Sequence, residues 1–377
     1  MIYPDKEYTK WAEVVWSKIT AKMEEQCNRI GSRIPYTQKD GRTVFMEEKN
    51  LVWWTNGFWP GMLWLMYSDT KDEKYRIAAE AIEKNFDNLF VEYEKLQHDL
   101  GFMWTCTSRL SYKLTGNPLS RVRALHAASI LAGRFNPKGH FLRAWNGDRT
   151  GWIIIDCMMN LPLLYWASRE INDPRFKYIA MEHADTTLKH LVRSDGSCHH
   201  IGILDPDTGA LLETPGGQGY APGSSWSRGQ SWAIYGFALS YIHTGEERYL
   251  EASLKIARYV IGVLRRTGYI PPADYAAPAE PERIDTSAGM IAAAGLNTLA
   301  GLEKNSERDF CRDSAVTIIN AIEAAHADWN PQTDFLIKNG SAQYNGKPDE
   351  LHIPLIYGDY FFLETLYRFK NPDFQVW

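Results

Sequence analysis

Only five cysteines occur in the 377 residues, at positions 27, 106, 157, 198 and 311. They are odd in number and form no CxxC pair, which argues against a disulfide framework or a zinc ribbon and leaves buried free thiols as the expectation. Apolar runs of membrane-spanning length are also missing. Asp156 and Asn160 break the strongest run, and Asn56 with Pro60 break the one around Trp53, so no membrane partner is expected. No Pro/Gly/Ser-rich linker, charge block or low-complexity stretch divides the chain, so one domain over 1–377 is expected despite a length beyond the usual single-core limit. A net charge of −5 provides no footprint for nucleic acid. The opening MIYPDKEYTK lacks the apolar stretch of a signal peptide, which leaves a cytoplasmic or periplasmic location open. There is no GxGxxG after a strand, no Walker loop and no GxSxG elbow, so nucleotide-dependent and serine-hydrolase chemistry are poor candidates. His98, His199 and His200 show no HxxxH or HExxH spacing, and neither a metal nor another cofactor is expected.

What is plentiful is aromatic surface, with 14 Trp and 20 Tyr. An indole offers a flat apolar face and one N–H donor, which suits the apolar face of a sugar ring, although core packing accounts for many of these side chains equally well. Trp54, Trp145 and Trp226 are the expected stacking platforms.

Helix punctuation reveals a loose repeat. Breaks at SDTKDEKY (68–75), TGNPLS (115–120), INDPRFKY (171–178), TGEERYL (244–250) and KNSERDF (304–310) each read as a helix stop followed by a new start. Asn117-Pro118 and Asp173-Pro174 form N-cap plus N1-proline pairs. Amphipathic stretches follow the breaks, while nearly all-apolar ones precede them, such as GFWPGMLWLMY (57–67), SWAIYGFALSYI (231–242) and AGMIAAAGLNTLAGL (288–302). A sixth apolar stretch, YGDYFFLETLYRF (357–369), finds its partner in an amphipathic helix around 5–29. Six hairpins closing head to tail predict an all-α fold, an (α/α)6 barrel. All inner helices then start at one rim, where Trp54/Asn56, Asp99, Asp156, Arg228/Gln230, Asp285/Ser287 and Asp359 gather. Residues 197–214, with an Asp-Thr-Gly turn at 207–209, read as a hairpin overhanging that rim.

Asp99 in HDLGF and Asp156 in WIIIDCMMN sit in apolar settings where a carboxylate gives a structural protein little. Burying an unpaired carboxylate costs several kcal/mol or forces it to keep its proton, and a retained, shifted acid serves acid–base chemistry. Asp99 reads about equally well as an N-cap of the next helix. For Asp156 the catalytic reading is preferred over a buried acid satisfied by hydroxyls. Arg228, between Trp226 and Trp232, is a fork for a substrate carboxylate or the partner of a rim aspartate. His98 and His200 are expected to hydrogen-bond to sugar.

The segments WTNGFWPGMLWLMY (54–67), QHDLGF (97–102), IIIDCMMNLPLLYWA (153–167), SSWSRGQSWAIYGFAL (224–239), DTSAGMIAAAGL (285–296) and YGDYFFLETLYR (357–368) resemble those of the unsaturated glucuronyl hydrolases, glycoside hydrolase family 88. The resemblance implies removal of a Δ4,5-unsaturated uronic acid from the non-reducing end of lyase-generated oligosaccharides. It places the proton donor and general base on Asp156, and an essential partner in positioning and charge tuning on Asp99. Sugar contacts carry over to Trp54, Phe58, His98, Trp145, His200, Gln218, Ser224, Trp226, Arg228 and Trp232, with Asn56 beside them. Two positions depart from the family pattern: Gly217 stands where His is expected and Asn56 where Asp is common, and both bear on leaving-sugar preference. The implied chemistry is hydration of a vinyl ether at C5, so the carboxyl-separation rule for retaining and inverting glycosidases does not apply.

Three rival readings share parts of this evidence. A rhamnogalacturonyl hydrolase on pectin fragments would keep the barrel and the hydration, but HDLGF with SRGQSW favours the glucuronyl side. A sugar epimerase on the same toroid would need histidines across the ring, and only His98 is placed for it. A glycan-binding protein would have no use for both aspartates. Sulfate selectivity is expected in 338–352, which carries Lys338 and Lys347. Oligomeric state leaves no trace in the sequence.

Overall fold

In this computed structural model the structure describes residues 6–377; Met1–Asp5, which include the start of the first helix expected at residue 5, lie outside the described residues. The chain runs α1 (Lys6–Ile30), β1 (Pro35–Lys39), β2 (Arg42–Phe45), α2 (Phe58–Thr70), α3 (Glu73–Asn85) and α4 (Leu100–Trp104). A π-helical turn over Thr105–Arg109 joins α4 to α5 (Leu110–Thr115) as one continuous rod, followed by α6 (Pro118–Ala132). Next come β3 (Phe135–Asn136), β4 (Phe141–Leu142), β5 (Trp152–Ile154), α7 (Leu161–Glu170) and α8 (Pro174–Leu191). The chain continues through β6 (Ile201–Leu204), β7 (Leu211–Glu213), α9 (Ser227–Thr244), α10 (Glu247–Leu264), α11 (Thr286–Ala300), α12 (Arg308–His326) and α13 (Ile356–Lys370).

The contacts close a ring. The inner helices α2, α4/α5, α7, α9, α11 and α13 each pack on the next, and α13 returns to α2. Each is backed by its hairpin partner, in order α3, α6, α8, α10, α12 and, for α13, α1. Apolarity around the whole circumference is why the inner helices accept burial on every side: Phe58–Met66 of α2 and Ser227–Ser240 of α9 are buried without a gap. The outer helices keep one wet face. Their starts use the signals in the sequence, since the side chains of Asn117 and Asp173 accept the backbone N–H of Leu119 and Arg175 ahead of N1 prolines. No helix of the described residues is long and apolar enough to cross a membrane. All five cysteines are free and buried.

The expected 197–214 hairpin is present as β6 and β7, with the Asp205 carboxylate accepting N–H from Asp207 and Thr208 and Gly209 at φ +72°. It is also part of something the sequence hid. β5, immediately before Asp156, pairs antiparallel with β6 in the register Ile154↔Ile201. A second hairpin, β1–β2, borders the same rim.

Candidate active site

A hydrogen-bonded band assembles the rim. His98 N–H donates to the carbonyl of Ala144 at 3.2 Å, Ala144 N–H to Trp152 at 2.8 Å, and Ile155 N–H to His200 at 3.0 Å, with the β5–β6 ladder between. Three stretches far apart in sequence, around residues 98, 144–156 and 200, are thereby held side by side, and they carry Asp99, Trp145, Asp156 and His200. Arg134 clamps the same band from behind, donating to the carbonyls of Leu96, Arg143 and Ala144 and to Asn146 Oδ1.

The starts of α4 and α7 meet without a side chain between them. A Cβ on Gly101 would lie 2.3 Å from Asn160 Cα, so only glycine allows this approach. The side chain of Asn160 then crosses the seam: Oδ1 accepts Phe102 N–H at 2.8 Å and Nδ2 donates to the Asp156 carbonyl at 3.4 Å. Asp99 and Asp156 are thus placed by the same junction.

The starts of α2, α4, α7, α9 and α13 border a cavity of about 650 Å³, within the range of small-ligand sites. Of the residues expected from sequence, Asp99, Asp156, His98, Trp54, Trp145, Gln218 and Arg228 line it, joined by Tyr36, Trp53, Gln97, Gln343 and Tyr357. The others lie behind the wall. Phe58 and Trp232 are fully buried and pack around Phe102 under Trp54. Asn56 Nδ2 pins the carbonyls of Asn50 and Leu51. Ser224 Oγ donates to Asp274, which also receives N–H from Tyr220 and Ser225 and organises the loop carrying Gln218. Trp226 is buried against His200, ring centroids 4.3 Å apart, so it does not offer its face to the cavity. His200 is buried beside Asp156.

The rim aspartates divide into two kinds. Asp359 accepts the N–H groups of Leu336 and Ile337, and Asp285 caps α11 and binds the Arg228 guanidinium at 2.5 Å. Arg228 also donates to the carbonyls of Ser341 and Ala342. Of the two readings of Arg228, its paired state is therefore the observed one, with part of the fork still facing the cavity.

Asp99 and Asp156 have no such partners. Asp99 occupies the N-cap position of α4, yet its side chain makes no cap hydrogen bond. With the side chain 20% exposed, burial first and the negative charge of Asp156 second push its pKa up to about 8. His98 Nε2 stands 3.5 Å from Asp99 Oδ2, and burial holds the imidazole down to about 3, so it is neutral. Asp156 Oδ2 is buried without a hydrogen-bond partner, 3.5 Å from His200 Nε2. Among the described residues no three His, Cys, Asp or Glu side chains converge as metal ligands.

The 338–352 segment borders the cavity. Lys338 pairs with Asp328 at 3.0 Å, and Ala342, Gln343, Asp349 and Glu350 are the residues of this segment that line the cavity. The cavity-lining lysines are Lys39, Lys49 and Lys95, from the β1–β2 side and the loop before Asp99. Besides cavity-lining residues such as Tyr36 and Gln343, the sequence reading misses the scaffold of Gly101, Arg134 and Asn160. The glycine of HDLGF and the polar Asn160 inside an apolar run were their only signals.

Residues 26–266 match Glycosyl Hydrolase Family 88. The chain is 34% identical to the unsaturated glucuronyl hydrolase of Bacillus sp. (strain GL1), over 93% of this chain and 94% of that one. It is 32% identical to the unsaturated chondroitin disaccharide hydrolase of Streptococcus pyogenes serotype M1, over 90% and 86%. Among solved structures, the Bacillus sp. GL1 unsaturated glucuronyl hydrolase superposes with a TM-score of 0.88 at 31% identity, covering 97% of each chain. An unsaturated glucuronyl hydrolase specific for heparin superposes with 0.87 at 28% identity, covering 98% of each. The (α/α)6 ring, the open carboxylate pair and these likenesses agree, and the chain belongs to glycosyl hydrolase family 88.

Proposed function

We propose that this glycoside hydrolase releases Δ4,5-unsaturated glucuronic acid from the non-reducing end of lyase-generated, glycosaminoglycan-type oligosaccharides by hydrating the C4=C5 bond. The observation that carries the reading is the unequal pair on one cavity: Asp99, pushed up to about 8, beside the negative charge of Asp156. Asp99 therefore keeps a proton at neutral pH, the proton that acid–base chemistry in this site needs.

A carboxylic acid delivers its proton to C4, and positive charge develops at C5 and the ring oxygen. Water, losing a proton to the resulting carboxylate, adds at C5. The hemiketal opens, the glycosidic oxygen leaves protonated, and the pair is returned to its starting state. Asp156 is assigned the donor and base role: it passes on to C4 the proton that Asp99 holds at rest and regains one from water, while Asp99 orients the sugar. Trp54 and Trp145 supply flat apolar walls, and His98, Gln218 and Arg228 the polar ones. The buried Asn56, Phe58, Trp226 and Trp232, with the half-buried Ser224, fix these in place.

The glycosaminoglycan assignment leans on the relatives, two of them named for chondroitin disaccharides and heparin. The ultraviolet absorbance of the conjugated alkene carboxylate tests it. Disaccharides from chondroitin, hyaluronan or heparin lyases are expected to lose that absorbance on incubation, and pectin-lyase products to keep it. Loss on the pectin products alone would establish the rhamnogalacturonyl reading instead. An unchanged spectrum with every substrate would reject hydration.

A further inference from the structure

His200 does not line the cavity, yet its imidazole is oriented with unusual care. Its Nδ1 accepts the backbone N–H of Gln218 at 3.0 Å. A ring nitrogen that accepts carries no proton, so in the neutral imidazole the proton is on Nε2. Nε2 in turn lies 3.5 Å from Asp156 Oδ2, and neither atom has another hydrogen-bond partner although both are buried. The ring is held from the side by Trp226, at 4.3 Å between centroids. Below it is Gly217, at φ +57°, where a Cβ would fall 2.2 Å from Nδ1. Glycine at 217 is therefore a requirement of this imidazole position. It also explains why a histidine at 217 is incompatible with His200 as placed here.

We propose that His200 is a positioning residue: its Nε2–H, oriented by the Gln218 amide across the side-chain-free Gly217, holds Oδ2 of Asp156 and so turns Oδ1 toward the substrate. The proposal rests on the hydration reading and adds a link to the leaving-sugar side of the cavity. Gln218 lines that cavity, its Nε2 donates to the Ala342 carbonyl at 2.7 Å, and its own carbonyl accepts Tyr344 N–H at 2.7 Å. A sugar pressing on Gln218 thus bears on the amide that sets His200. The 3.5 Å separation is the loose spacing of an unliganded catalytic hydrogen bond, which tightens when substrate is bound.

Three variants and one spectrum test this. His200→Leu is expected to lower kcat roughly 10²-fold, the scale of a misdirected acid–base group, with KM within about threefold of wild type. His200→Gln, whose amide N–H reaches where Nε2–H was, is expected to recover at least about tenfold of that loss. Gly217→Ala, which displaces the ring without removing it, is expected to behave like His200→Leu. A rise in KM with kcat retained would make His200 a sugar ligand and overturn the proposal, as would a His200→Gln variant no better than His200→Leu while both melt like wild type. Independently of activity, 15N-histidine spectra are expected to show His200 protonated at Nε2 only, with that resonance moved by Asp156→Asn. A ring protonated at Nδ1 would overturn the proposal even if the protein hydrates no alkene, so its failure is separable from failure of the hydration reading.

Discussion

A carboxylate at the start of a buried helix is stable when backbone N–H groups or a cation meet it, and costly when they do not. Asp285 and Asp359 belong to the first kind, and Asp99 to the second. Because its folded pKa of about 8 lies above the ordinary carboxylate value, the folded state binds an extra proton between roughly pH 4 and pH 8. Stability contributed by that proton is intact at the acid end and declines as pH rises through the window, with the full loss above about 8. Asp99→Asn cannot ionise, so it should melt above wild type at pH 8.5, by an equivalent of about 2 kcal/mol, with the gap closing by pH 4. The same variant should be nearly inactive. Thermal melts across pH check the first outcome, and a gap of the same size at pH 8.5 and pH 4 would contradict the assignment.

The two sites also show what a sequence does and does not disclose. Asp99 and Asp156 stand out because a charged residue in an apolar run needs a reason, and that signal is local. Which of the four rim aspartates are satisfied is not local: the N–H groups that reach Asp359 come from Leu336 and Ile337, and Arg228 meets Asp285 across two inner helices. His200 reads as a sugar ligand in sequence because nothing there shows β5 pairing with β6 to lay it against Asp156.

Between helices, the junction of α4 with α7 decides whether the acids share a site. Gly101→Ala places a methyl group 2.3 Å from Asn160 Cα and 2.6 Å from its carbonyl oxygen, backbone atoms that cannot swing aside. The expected cost is about 1–3 kcal/mol of stability from overpacking. Because the helix starts carry the acids, kcat should also fall by at least roughly tenfold. Gly262→Ala on α10, where an added Cβ meets nothing within 4 Å, is the control and should be neutral or stabilising by about 0.5–1 kcal/mol. Equal effects at the two positions, in a denaturant melt read beside kcat, would show that the junction is not tight. Helix starts and stops such as Asn117-Pro118 were legible because caps act within four residues, whereas this contact joins residues 101 and 160 and has no local mark.

Around the whole ring, twelve helical rods paired as six hairpins bring Trp54, Asp99, Asp156, Arg228, Asp285 and Asp359 to one end, although they span most of the chain. The architecture was readable because inner and outer helices differ in kind, all-apolar against one-sided. The strands that fine-tune the rim were less so, since β3, β4 and β5 are two or three residues long and gain their partners only after the ring closes. What the barrel achieves is convergence, which on the proposed mechanism lets Asp156 and Asp99 act on one bound sugar. The most direct test follows the alkene absorbance of a lyase-generated disaccharide under single-turnover conditions with Asp156→Asn beside wild type. Wild type is expected to lose the absorbance completely and Asp156→Asn to lose none while still folding and binding the disaccharide. Turnover by Asp156→Asn at the wild-type rate would contradict the proposed mechanism.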